Sequence, residues 1–343
     1  MLNSDQVHPP ELLAMGRVSV DMYPNRVGTP LADVGGYIPS VGGTATNVSV
    51  AAARLGRRAA IATAVGDDPL GRYVTAALER FGVDTRWVVV RASEATPVVF
   101  IELDPATEPS IWFYRKPSAP DEHLAIDGLD PTVIEEVPVL WIPGSRMAFP
   151  AAAATTEAVL AMRGRTAHTV IDLDYRPMFW DAAADAGRAV EPLLSKATVA
   201  VGNLEECAVT VGSDDPTEAA ARLLERGLDL AVVKMGADGV MAVTADGRSA
   251  VAPPTPVEAV CGLGAGDAFG GMLVHGLLEG WEPQQTMTYA NAAGAIVASR
   301  LRCSDDMPTL AEVEHMLSVG TPPPGPPTGI EMGPGPDNEE TTA

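Results

Sequence analysis

Aromatic residues make up only 5% of this sequence, and its three cysteines, Cys207, Cys261 and Cys303, lie far apart with no CxxC pair. That spacing excludes a disulfide framework and a thiolate zinc site, so reduced thiols are expected. The five histidines (His8, His123, His168, His275 and His315) show no metal-ligand spacing either. Positive charge is also short. Against 45 Asp and Glu there are 23 Lys and Arg, a formal net charge of −22. Such a balance argues against sequence-independent binding to nucleic acid or an anionic membrane, both of which need clustered cations. No apolar run follows a basic N-terminal segment, and none is long enough to span a bilayer. A cytoplasmic protein with a small-molecule partner is expected. What the sequence does have is length and apolar content: 343 residues, 46% hydrophobic, are enough for one large or two ordinary domains with a sizeable core.

Short Val/Ile/Ala-rich runs alternate with longer helical patterns, as in "ELLAMGRVSVD", "TNVSVAAARLG", "AAIATAVGDD" and "LGRYVTAALERFG", and later "PVLWIPG", "ATVAVGN" and "LDLAVVKMG". This rhythm implies an α/β fold with a mainly parallel sheet covered by helices on both faces. Residues 20–43 and 96–117 break it. Both are strand-like, the second reads as a hairpin, and together they suggest a small sheet placed as a lid. Residues 1–10 are expected to be loosely held. From about residue 319 the chain turns Pro/Gly-rich ("TPPPGPPTGIEMGPGPDNEETTA") and reads as a disordered tail, leaving 11–318 as the domain.

The stretch "VCGLGAGDAFGGMLV" gathers glycines around one carboxylate. Phe269, Met272, Leu273, Gly276 and Leu277 fall at helical spacing, so a helix should begin near Gly264 to Asp267. Its first-turn amides and dipole would hold an anion in the glycine loop, and phosphate could approach the backbone closely. A carboxylate beside phosphate makes chemical sense as a base that takes the proton from an attacking hydroxyl, which assigns that role to Asp267. A tight turn with an ordinary first-turn acid is the competing reading. A dinucleotide fingerprint fits less well, because "GLGAG" comes late and follows "APPTPVEAV" rather than a first strand.

In "GGTATNVSVAAARLG", Gly42 and Gly43 precede a helix that Thr44 could cap and Gly56 could end, with Asn47 in its first turn. Two glycines allow a ligand close to the backbone, and Asn47 offers a donor and an acceptor for sugar hydroxyls. Asp21, Asp67, Asp68, Asp172, Asp174, Arg176, Asn203 and Glu206 fall at apparent strand ends, where open α/β sheets bind ligands; singly, each could equally be a cap or turn residue.

"GGTATN", "NLEE" and "GAGDAF", in that order, resemble the ribokinase or PfkB family of sugar kinases, from about Leu12 to Met316. The resemblance implies a ribokinase-like three-layer α/β/α sandwich with a β-sheet lid, and ATP-dependent phosphorylation of a hydroxymethyl group with Mg2+. It makes Asp267 the base and Gly264, Ala265 and Gly266 the anion hole. It makes Asn203 and Glu206 the element that organises magnesium and phosphate through water. Asp21, Gly42, Gly43 and Asn47 become sugar contacts, and Lys234, Gly236, Asn203, Gly264 and Asn291 nucleotide contacts. "GRVSVDMYP", "FYRKPSAPD", "DLDYRP" and "VCGLGAGDAFGG" are most similar to members that act on keto-deoxy sugar acids. Arg115 and Arg176 are therefore candidate carboxylate clamps, since a guanidinium fork matches a carboxylate. The plainer alternatives are a surface Arg115 and an Arg176 paired with Asp172 or Asp174. Kinases of neutral sugars and a non-catalytic sugar sensor are the competing functions. Where many members carry Asp-Thr, this chain has Cys261-Gly262, so weak dependence on potassium is expected, as is a reactive Cys261 beside the phosphate loop. Lid-strand edges suggest a homodimer.

Overall fold

The computed structural model describes residues 8–165 and 168–331. For residues 1–7 and for the tail beyond Glu331, the expectations above fall outside the described residues. The chain begins with β1 (Leu12–Met15), β2 (Ser19–Pro24) and β3 (Tyr37–Gly42), then α1 (Thr44–Arg54), β4 (Ala59–Gly66), α2 (Pro69–Arg80) and β5 (Asp84–Arg91). A hairpin of β6 (Val98–Glu102) and β7 (Ser110–Tyr114) follows. Next come α3 (Pro131–Glu136), β8 (Val139–Pro143), α4 (Pro150–Arg163), β9 (His168–Asp172), α5 (Ala183–Leu194), β10 (Val199–Asn203), α6 (Leu204–Val211), α7 (Pro216–Glu225) and β11 (Leu230–Lys234). The chain continues through β12 (Val240–Thr244), β13 (Ser249–Ala252), α8 (Ala265–Glu279), α9 (Pro283–Ala298) and α10 (Leu310–Val319).

Nine strands form one sheet in the order β13-β12-β11-β10-β9-β8-β1-β4-β5, parallel except at β12 and β13. Strand side chains alternate between two cores, as a pleat of period two requires. Leu12, Ala14, Ile61, Val139 and Trp141 face a core shared with α1, α2, α8, α9 and α10. Leu13, Met15, Ala60, Leu140 and Ile142 face one shared with α3 to α7. Because both faces are covered, β4 is buried along its whole length and reads as a continuous apolar run. The expected three-layer α/β/α sandwich is the observed fold.

A separate four-stranded sheet, β3-β2-β6-β7, is built from the two segments that interrupt the αβ rhythm. The chain passes from β1 into this lid through Gly16-Arg17-Val18. A Cβ at Gly16 would lie 2.7 Å from that of Ala45, so only glycine fits the crossing. Alternation then turns Asp21, Val99, Ile101, Ile111 and Phe113 toward a cavity beneath, while Trp112 and Tyr114 are exposed on the outer face.

The Pro/Gly-rich segment departs from the expectation of disorder over 321–331. Pro323 O and Pro327 O accept from Arg300 and Arg302, and Ile330 packs on the lid core around Tyr23. Glu331 bridges to the lid, accepting from Val27 N (2.9 Å) and donating to Asn25 O (2.8 Å). Proline content prevents a core of its own but not an extended path over an existing one. Among the described residues no helix is long and apolar enough to cross a membrane.

Candidate active site

The carboxyl ends of β1, β9, β10 and β11, the N-termini of α1 and α8, and the inner face of the lid converge on one cavity of about 310 Å³. Open parallel sheets place ligands at this edge.

Helix α8 starts one residue after Gly264, which caps it in the left-handed region (φ 81°). Gly266 N and Asp267 N have no backbone acceptor, and the first full helical bond is Ala268 N to Gly264 O at 2.9 Å. These free amides and the helix dipole face Lys234, whose Nζ would stand 3.5 Å from a Cβ at Gly266. A polyphosphate fits this donor set. Burial opposes the charge on Lys234, but Glu206, Asp172 and Asp267 outweigh it and raise its pKa above the usual lysine value.

Asp267 lies in the first turn of α8 and accepts from Asn47 Nδ2 at 2.7 Å. Ser304 Oγ in turn donates to Asn47 Oδ1 at 2.7 Å, which fixes the orientation of the amide. Burial pushes the Asp267 carboxyl up to about 6, against the Asn47 hydrogen bond. Asp21, on β2, is likewise raised to about 6 by burial, opposed by a hydrogen bond from Ser19, with Asp267 adding to the rise. The residues flanking Ser304 reach the lid: Cys303 N donates to Tyr23 Oη (3.1 Å), and Asp305 accepts from Ser40.

Asn203 and Glu206 form a capping box on α6. Asn203 Oδ1 accepts from Glu206 N (2.8 Å), and Glu206 Oε2 accepts from Asn203 N (2.7 Å). Glu206 also lies 3.9 Å from Lys234 Nζ. No group of three or more His, Cys, Asp or Glu among the described residues could hold a metal.

Arg115 is not the surface residue of the plainer reading. It is 8% exposed, lines the cavity, and donates through Nη2 to Asp121 (2.6 Å) and Glu122 (3.2 Å). Arg176 pairs with Asp174 at 2.8 Å, the plainer alternative for that residue, and still borders the cavity. Asp174 has φ 38° and is a hub for Arg17, Arg176, Thr44 and Ser145. Burial would raise its pKa, but Arg176 and Arg17 hold it below the usual carboxylate range. A non-glycine residue in that region persists only where its surroundings over-determine it.

A family model described as pfkB family carbohydrate kinase matches residues 10–310. The chain belongs to that family. The kinase is 31% identical over 319 residues to 5-dehydro-2-deoxygluconokinase of Geobacillus kaustophilus, covering 91% of this chain and 95% of that one. Its fold resembles an Escherichia coli structure named ribokinase II in complex with ATP and Mg2+ (TM-score 0.82, 23% identity, 90% of this chain and 99% of that one). It also resembles the Xylella fastidiosa fructokinase with bound ATP (TM-score 0.79, 24% identity, 90% and 99%). It is an ATP-dependent sugar kinase.

Several expectations for the kinase change in detail. Gly42 is outside the cavity lining. A Cβ there would collide with the Asp21 carboxylate, so this glycine makes room for Asp21 rather than for a ligand. Gly43, at φ 105°, is the N-cap of α1 in place of Thr44 and does line the cavity. Ala265 begins α8 behind the lining residues. Gly236 opens a single turn two residues after Lys234 and is not among the lining residues, and Asn291 donates its amide to Ala252 O (3.3 Å) and Pro253 O (2.8 Å). Asp68 caps α2 through Gly71 N at 2.7 Å and is structural. Sequence reasoning missed Arg17, Ser19, Ser304 and Asp121. Only the adjacency of "GR" to a strand end could have pointed to Arg17.

The surroundings of Cys261 argue against the expected reactivity. It is fully buried in the lid-base core, and burial pushes its thiol above the usual cysteine value. Cys207 and Cys303 are buried as well. In the folded kinase all three thiols should react with Ellman's reagent far more slowly than after denaturation. Rapid native modification at Cys261, blocked by ATP, would restore the reactive reading.

Proposed function

We propose that this kinase transfers the γ-phosphoryl group of ATP to the terminal hydroxyl of a keto-deoxy sugar acid, 5-dehydro-2-deoxy-D-gluconate, giving the 6-phosphate. The observation that carries this reading is the buried Arg115 guanidinium in the cavity wall, with Arg176 across the same space. Asp121 and Glu122 engage Arg115 through Nη2 alone, so its other N–H groups remain for a substrate carboxylate, a partner that a neutral sugar lacks. The name of the Geobacillus relative points to the same substrate.

On this reading Asp267 accepts the proton of the attacking hydroxyl, with its carboxylate aimed by Asn47. Gly264 to Gly266 and the α8 amides receive the charge that develops on the transferred group. Asp21, Gly43 and Asn47 hold the sugar hydroxyls. Lys234 and Asn203 meet the nucleotide phosphates, and Glu206 positions Mg2+ through water. ATP, when bound, would supply the phosphoryl group, and Mg2+ bound with it would offset part of the phosphate charge. The protein's contribution is then position and field.

ATP-consumption assays across keto-deoxy acids, fructose and ribose test the substrate. A six-carbon keto-deoxy acid should give the highest kcat/KM, and fructose or ribose exceeding every acid would refute the assignment. The raised carboxyls give a pH signature. Burial raises the carboxyls of Asp267 and Asp21 each to about 6, so kcat/KM should fall as pH drops through about 6, where the base takes up its proton. An acid limb centred below 5 would contradict a buried base.

Potassium should activate weakly. Cys261 N and Val260 N are bonded to Ala298 O, and nearby Asp306 is held by Arg302 through Nη2 (3.1 Å) and N (2.7 Å). Selective activation by potassium over sodium, severalfold or more, would contradict this. The outward aromatic face of the lid, where Phe100 stacks edge-on with Tyr37 and Tyr114 beside exposed Trp112, is the surface for a second copy in the homodimer we propose.

A further inference from the structure

Arg17 has no assigned role, yet it is among the least compensated charges around the cavity. It occupies the crossing from β1 to β2, lines the cavity, and its side chain is 7% exposed. Nη2 donates to Thr44 Oγ1 (3.1 Å) and Asp174 Oδ2 (3.2 Å). Among the described residues Nε and Nη1 have no acceptor, and Nε is fully buried. Arg115 behaves alike. Only its Nη2 is engaged, and its buried Nε has no partner. A guanidinium carries five N–H donors, so most of the donor capacity of both residues is unspent in a site where water is scarce.

The carboxylates nearby are already divided. Asp174 serves Arg17, Arg176, Thr44 and Ser145, and Asp121 accepts from Arg115 and from Val18 N (3.1 Å). Fully buried Arg146 adds a third guanidinium with no carboxylate partner. Burial first, then Arg176 and Arg115, lowers the proton affinity of Arg17 by more than Asp174 and Asp121 restore. Aromatic rings close the surroundings. Arg17 lies 5.2 Å from the Phe179 ring centre and Arg115 5.7 Å from that of Phe149, and Phe179 packs edge-on against both Phe149 and Phe113. Rings that attract the cations also keep water from them.

We propose that Arg17 is a specificity-determining residue that, with Arg115, forms a two-guanidinium subsite for the substrate carboxylate and so selects sugar acids. This rests on the sugar-acid reading above. Arg17 and Arg115 line the same cavity, each with an Nη1 that has no acceptor among the described residues, and together they can share the two oxygens of a carboxylate, whereas Arg176 is held by Asp174 and feels Asp267, Glu206 and Asp172.

The test compares the acid with its own primary amide, which keeps the chain length and hydroxyls and drops the charge. Arg17→Met should lower kcat/KM for the acid about 30-fold or more and for the amide less than threefold, with KM for ATP unmoved. Arg17→Lys, which keeps the Asp174 ion pair, should lose about tenfold on the acid and remain folded even if Arg17→Met does not. If Arg17→Lys, or a folded Arg17→Met, keeps the wild-type ratio of acid to amide, Arg17 is only a structural partner of Asp174. A wild type that uses the amide or fructose as well as the acid overturns the sugar-acid reading itself, and this inference with it.

Discussion

Asp267→Asn should lower turnover by roughly two to four orders of magnitude while ATP still binds. The substitution keeps size and shape, and the Asn47 amide can still donate to the new carbonyl oxygen, so the loss isolates proton acceptance. It should also stabilise the fold. The Asp267 carboxyl is raised by burial to about 6, above its unfolded value of 3.8. Between those values the folded state holds a proton that the unfolded chain has released, so stability falls as pH rises through that window and stays lower above it. Asparagine does not ionise and escapes the penalty. At pH 7.5 the variant should unfold at a higher temperature, by the equivalent of about 1–2 kcal/mol given the partial exposure of the residue, and the gap should close by pH 4. A variant that turns over normally removes Asp267 from catalysis. One that is both inactive and less stable than wild type at pH 7.5 assigns the carboxylate to the fold instead.

Arg115→Ala and Arg176→Ala should each reduce kcat/KM for a six-carbon keto-deoxy acid by roughly one to three orders of magnitude, with ATP affinity barely changed. Their kinetic signatures should differ. Arg115 is anchored under the lid by Asp121 and Glu122, so its loss weakens holding of the acid and should appear chiefly in KM. Arg176 feels Asp174 most strongly and then Asp267, and its removal disturbs the field around the base as well. That loss should reach kcat. Steady-state kinetics on acid and neutral sugar separate the cases, and two variants that use fructose as well as the parent uses the acid would leave only a general sugar kinase.

What could be read before any coordinates were those features whose cause is local. The helix start expected near Gly264 to Asp267 followed from apolar spacing, and the mainly parallel sheet followed from short apolar runs that alternate with helical patterns. The lid was legible as two segments that lacked helical periodicity. Contacts between distant residues were not. Ser304 meets Asn47 across 257 positions, and nothing in "RCSDD" distinguishes that serine from a turn residue. Arg17 reads as a surface charge until the β1–β2 crossing turns it inward. The reactive Cys261 failed for a related reason: proximity to a helix N-terminus in sequence does not expose a thiol that the lid base covers. Over 321–331 the proline-rich segment departs from the expected disorder because composition excludes a self-made core and says nothing of one supplied by neighbours.

The turn at Cys303-Ser304-Asp305 joins three things that a transferase must keep in step. Its first residue is bonded to Tyr23 in β2, its third to Ser40 in β3, and its middle hydroxyl holds the Asn47 amide that donates to the Asp267 carboxylate. Lifting β2 and β3 off the domain would remove two of the bonds that hold this turn, so the orientation of Asn47, and through it of Asp267, rests on the lid as well as on the domain.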